Sequence, residues 1–199
     1  MQTLLKRLVT PVVLFFCWTG LAQAAPLSLI LDQSQIEFTV KEMGVPVKGK
    51  FKRFEAALDI DPTKPEKSSA AIRIDIGSLT TDNDEADVIA VGADWLDKVH
   101  APLATFQSSS MSALGAGRFE AKGSLSIKNV ARPITLQFSS SELADGKTMI
   151  TSEFKINRSD FGIGGGIWNQ VGVVAEVILF KVKLLLTPAV ASLRTGVKR

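Results

Sequence analysis

Residues 47–62 read VKGKFKRFEAALDIDP and set four cations, Lys48, Lys50, Lys52 and Arg53, among two aromatics, Phe51 and Phe54. Cations on phosphates with rings under bases would make that pattern a nucleic-acid grip. The same residues also fit a single strand with a wet face and a dry face. Other stretches carry residue types that do chemistry. His100 is the only histidine of the chain, a candidate base or ligand. Asp82, Asp84, Glu85 and Asp87 form an acidic run of the kind that binds calcium. Gly162-Ile163-Gly164-Gly165-Gly166 has the glycine density of a phosphate loop.

Spacing argues against the chemistry in each case. His100 precedes Ala101-Pro102 at the end of a helical pattern, where a surface histidine is expected. Read as a calcium loop from Asp82, the acidic run has Asp87 where the turn glycine belongs and Ala93 where the closing glutamate belongs. A negatively charged first helical turn accounts for it. The glycines are not spaced G-x-G-x-x-G, and IWNQVGVV follows them where a helix is required. They fit a pliable connection, or a place where backbone approaches something closely. Neither a metal site nor a catalytic constellation is expected.

Charge removes the nucleic-acid reading. Residues 1–24 read as a cleavable export leader: Lys6 and Arg7, a mostly apolar run from Leu8 to Leu21, then Ala22-Gln23-Ala24 before the cut. The leader takes two of the 23 Lys+Arg and none of the 20 Asp+Glu, leaving residues 25–199 at a net charge of +1. A nearly neutral domain has no broad footprint for a polyanion. Cys17, the only cysteine, goes with the leader, so packing alone must hold the exported domain. The expected location is the periplasm.

The elements that position everything else follow period two. Ile36, Phe38 and Val40 alternate with polar residues, as do Ala70 through Ile76, Phe119 through Ile127, Ile134 through Phe138, Ile150 through Ile156, and Val174 through Leu186. In the opening stretch Val47, Gly49 and Phe51 share one phase, and Phe54, Ala56, Leu58 and Ile60 resume it one residue late. A β-bulge at Lys52-Arg53 is therefore expected, with Gly49 easing a bend. The lysines become a solvated strand face. One segment breaks the rhythm: Ala86, Ile89, Ala90, Ala93 and Leu96 recur at helical spacing, with Asp82 as the expected cap and Glu85 three residues on. The reading is all-β, an antiparallel lipocalin-like barrel of about eight strands with one amphipathic helix. A two-sheet sandwich is the alternative.

The inward phase carries Ile36, Phe38, Phe51, Phe54, Ile72, Ile74, Leu125, Ile127, Leu136, Phe138, Phe154 and Phe180. Those residues either fill a core or line a lumen for one slender ligand. Inward small residues, Gly49, Ala56, Ala70, Ala121, Gly123 and Ser152, favour a gap. An apolar chain there would gain about 0.8 kcal/mol per buried methylene.

LDQSQIEFTV and MGVPVKGKF, then F-x-x-x-L-D-I-D-P, I-x-I-x-S-L-T-T, ADWLDKVHAPLATFQS, GSLSIKN-x-x-RPITL and INRSDFGIG, taken in this order, resemble the YceI-like family of exported lipid-binding barrels. The resemblance runs from about Leu31 to Leu186. It implies a lipocalin-like barrel in the periplasm that encloses a polyisoprenoid or a quinone-type lipid, with no other cofactor, transient membrane contact, and members that often pair as homodimers. Trp95, Phe106, Arg132, Pro133, Arg158, Phe161 and Gly162 match family positions. Where the family commonly places a histidine before the D-W segment, this sequence reads DEADVIAVGADW.

The expectation is a non-enzymatic carrier of an isoprenoid-tailed lipid. Phe161 and Trp168 join the apolar residues above as lumen candidates, and Arg158 is the candidate for the polar head. Two alternatives stay open: a filled-core structural or stress-related interaction protein, and a lipid-modifying enzyme using Asp59 or His100.

Overall fold

The structure, a computed structural model, describes residues 27–169 and 173–188. The expected leader and its cut after Ala24 lie outside the described residues. Eleven strand segments form one sheet: β1 (Leu27–Leu29), β2 (Gln35–Glu42), β3 (Val45–Phe51), β4 (Phe54–Asp59), β5 (Ser69–Asp75), β6 (Leu79–Thr80), β7 (Leu103–Gly115), β8 (Arg118–Ile127), β9 (Val130–Glu142), β10 (Thr148–Asn157) and β11 (Val177–Pro188). Every neighbour pairing is antiparallel. β1 touches both β4, at Leu27↔Leu58, and β11, at Leu27↔Pro188, which closes the sheet on itself. β1 with β2, β3 with β4, and β5 with β6 each act as one interrupted strand, so the eleven segments make a closed eight-stranded barrel. The sandwich alternative is set aside by that closure.

The bulge falls where the phase slip placed it. β3 ends at Phe51, β4 starts at Phe54, and both rings are buried. Ser78 takes up the amides that the slip frees: Lys52 N donates to Ser78 O at 3.1 Å, and Arg53 N to Ser78 Oγ at 3.0 Å. Lys48, Lys50 and Lys52 stand exposed on the outer face. Gly49 has another use than bending the strand. A Cβ there would run into the Phe38 ring, so the glycine makes room for an inward aromatic of β2.

The helix is shorter than its spacing suggests. α1 spans Asp84–Ala90 and stops before Ala93 and Leu96. Gly92 N reaches back to Ile89 O, and a chain of turns replaces the helix through Asp97, whose φ is +50°. Asn83 is the cap, accepting from Glu85 N at 3.0 Å and Ala86 N at 3.1 Å. Asp82, the expected cap, sits instead at φ +61°. Asp87 anchors the helix to the residue that follows β6, accepting from the Thr81 amide at 2.6 Å and hydroxyl at 2.7 Å. Burial works against the Asp87 charge, but these Thr81 bonds hold its carboxyl below the usual range.

Candidate lipid cavity

The inner faces of the strands leave a void of about 240 Å³. That exceeds the roughly 150 Å³ apolar cavity that stays dry and admits a benzene-sized guest. The barrel is therefore not filled wall to wall, and the filled-core alternative loses its premise.

Of the sequence candidates, Ile36, Phe38, Phe51, Ile72, Ile74, Leu125, Ile127, Leu136, Phe138, Phe154, Trp168 and Phe180 border the void. Registers bring them together. Phe38 pairs with Phe180 across β2–β11, and Phe180 with Phe154 across β11–β10. Phe154 and Phe180 stack at 5.2 Å, and Phe38 meets Phe51 at 5.8 Å. Ala70, Ala121 and Ser152 border the void too, as the small-residue argument expected. Gly49, Ala56 and Gly123 do not; the missing Cβ of Gly123 leaves room for the Phe106 ring and the Gln107 carbonyl.

Three sequence candidates stand elsewhere. Phe54 follows the bulge, where the strand turns, and its ring is buried in the core without bordering the void. Phe161 ends the 3-10 turn Arg158–Phe161 and is likewise buried away from the void. Gly162, at φ +64°, then redirects the chain so that Ile163 borders it. Arg158 is no head-group ligand in this geometry. It is 4% exposed, and its guanidinium donates to Ile163 O at 2.9 Å, Gly164 O at 2.9 Å and Trp168 O at 3.2 Å. Its Nε lies 3.8 Å from Glu176 Oε2.

Arg158 therefore clamps the glycine segment. Gly164 has φ +76°, and a Cβ there would stand 2.5 Å from Arg158 Nη1. Backbone approaching a side chain closely is one of the two uses read from those glycines. Gly164 N and Gly165 N also donate to Asp94 O, at 2.8 and 2.9 Å, docking the segment on the turn after α1. That docking sets Trp95 edge-on to Trp168, centroids 5.6 Å apart, and both indoles border the void. Trp95 Nε1 is buried without a hydrogen-bond partner. The Ser159 hydroxyl and amide, with Arg158, hold the Glu176 carboxyl below its ordinary value despite burial.

The sequence reading missed the mouth. Glu42 and Ile89 border the void and are exposed, whereas the remaining lining residues are buried or partly buried. β3 pairs with β6 only at Lys50 and Phe51, so its edge from Val45 to Gly49 is free. The two exposed lining residues, Glu42 of β2 and Ile89 of α1, mark where the void reaches the surface. Polarity at the far end of a strand that otherwise alternates gives no sign of this. Asp59 is exposed on the outer face and borders no part of the void. His100 is exposed too, its Nδ1 2.9 Å from Asp97 Oδ1, and it also lies off the lining.

Comparison with known proteins agrees with this architecture. The crystal structure of Burkholderia cenocepacia BcnA superimposes with a TM-score of 0.77 at 30% identity, covering 79% of this chain and 99% of that one. The UPF0312 protein of Azotobacter vinelandii is 25% identical over 138 residues, 67% of this chain and 72% of its own. A polyisoprenoid binding domain from Saccharophagus degradans, implicated in plant cell wall breakdown, shares the fold with a TM-score of 0.65 at 15% identity, covering 82% of this chain and 99% of that one. Residues 28–185 match the YceI-like domain, nearly the whole described barrel. This chain belongs to the YceI-like domain family.

Proposed function

We propose that the chain is a non-enzymatic carrier for a long isoprenoid-tailed lipid, of polyprenyl or quinone type, and that it works in the periplasm after losing residues 1–24. One observation carries the reading: a void of about 240 Å³ whose walls are almost entirely aliphatic and aromatic side chains from β2–β11 and α1. A hydrocarbon tail there gains about 0.8 kcal/mol per methylene and needs no polar partner. The name of the Saccharophagus degradans neighbour, a polyisoprenoid binding domain, supports the tail chemistry. Entry is tail first at the opening beside α1. Met43, Val45, Val88 and Ile89, 73, 64, 71 and 43% exposed, belong to the β2–β3 hairpin and to α1, which carry Glu42 and Ile89 at this opening, and transient contact with a bilayer surface would cover them. The enzyme alternative draws no support from Asp59 or His100, which lie off the lining.

Residues 25–199 hold two tryptophans, Trp95 and Trp168, because Trp18 belongs to the expected leader. Both border the void, so intrinsic fluorescence reports occupancy directly. Titration with geranylgeraniol should change that emission and saturate at one molecule per chain. Emission that never responds would contradict a lipid in the lumen.

A further inference from the structure

Among the described residues, Glu42 is the only ionisable side chain that borders the void, and it stands exposed at the opening. It enters none of the ion pairs among the described residues. The hydroxyls on the lining, among the described residues, are those of Thr81, Thr105 and Ser152. Thr81 donates its hydroxyl to Asp87 Oδ1 at 2.7 Å, and Ser152 donates to Gln137 O at 2.7 Å, far down the barrel. No lysine or arginine lines the void among the described residues. The facing element adds further negative charge, with Asp84, Glu85 and Asp87 on α1 beside Ala86, Ile89 and Ala90 of the lining. Lys41 and Lys48 are exposed on the same hairpin but do not line the void. Arg158, the cation the sequence offered, is consumed by three carbonyls.

We infer that Glu42 selects the polar end of the ligand: an uncharged end bearing a hydrogen-bond donor, such as an alcohol or phenol, in preference to a phosphate or carboxylate. The inference rests on the carrier reading and narrows its ligand. With the tail in the lumen, the head comes to rest at the rim, where a hydroxyl donates to the Glu42 carboxylate. An anionic head would meet that carboxylate and the acidic turn of α1 with no lining cation to offset them. Water at the rim screens part of this repulsion, so the discrimination is moderate.

The test compares two probes with one tail, geranylgeraniol and geranylgeranyl phosphate, by tryptophan fluorescence on wild type, Glu42→Gln and Glu42→Lys. Glu42 is exposed, so neither substitution disturbs the core, and circular dichroism checks the fold. The wild type should bind the alcohol about tenfold more tightly than the phosphate. Glu42→Gln should shrink that ratio to about twofold, and Glu42→Lys should reverse it. Equal binding of both probes by the wild type, or a ratio that Glu42→Lys leaves unchanged, overturns the selection by Glu42 while leaving the carrier reading intact. Failure of both probes to bind the wild type overturns the carrier reading, and this inference with it.

Discussion

Arg158 donates to the carbonyl of Trp168 at 3.2 Å, and the indole of that same tryptophan borders the void. A buried cation outside the lumen thus fixes an aromatic on its wall. Replacing Arg158 with Met keeps much of the side chain's length and leaves three carbonyls without their donor. Unfolding by denaturant should show a loss of about 2–4 kcal/mol. Arg158→Lys should recover little of it, because one ammonium cannot reach three carbonyls that a planar fork spans. Full stability in Arg158→Met would show that the clamp carries no energy.

Gly49 and Phe38 give a second test of packing. A methyl at Gly49 would collide with the Phe38 ring, with Thr80 O also only 3.0 Å away. Gly49→Ala should cost about 1–3 kcal/mol as the ring is driven from its place. It should also weaken geranylgeraniol binding, since Phe38 lines the void. Gly44 is the control: a Cβ there meets nothing, although its φ of +82° carries a backbone cost.

Much of the lumen was legible because a strand has period two: once Leu125 is inward, Ile127 must be, and a sheet with one buried face fixes its register. β7 was not legible. Its run LATFQSSSMSALG is rich in serine, and register shifts at Ser108/Ser110 and Ala113/Gly115 break the alternation. Ala104 and Phe106 of that strand nonetheless border the void. The helix was overextended because Ala93 and Leu96 keep helical spacing in a stretch that Gly92 has already turned. Arg158 and Phe161 were misplaced for a related reason. Alternation tells inside from outside along a strand and says nothing once the chain enters a 3-10 turn.

Filling the void separates capacity from stability. Ala121 is 2% exposed, borders the void, and sits opposite Met111 and Leu136 on the adjacent strands. Ala121→Leu should shift stability by less than about 1.5 kcal/mol while lowering the bound geranylgeraniol. Phe138→Arg should abolish binding, by placing a charge on the lining. Unaltered occupancy in both variants would mean that the tail lies elsewhere.

Acid should act on the Ser159–Glu176 contact. The Ser159 hydroxyl, then burial opposing it, then the Ser159 amide and Arg158 together set the Glu176 carboxyl below its ordinary value of 4.5. A carboxylate lowered in the folded state contributes stability that is complete above the unfolded value and disappears as pH falls through the folded one. Wild type and Glu176→Gln should therefore differ in melting temperature at neutral pH and converge as acid protonates the folded-state carboxyl, below its ordinary value of 4.5. The side chain is 47% exposed, so the difference should be small. A gap that widens on acidification would reverse the assignment.

The most direct test is chemical extraction of the purified protein with organic solvent, followed by mass spectrometry of the extract. A prenyl-tailed lipid at close to one molecule per chain is the expected result, reduced in Ala121→Leu and absent in Phe138→Arg. An extract holding no apolar molecule from wild-type protein kept in contact with its own membranes would contradict a lipid-carrying lumen.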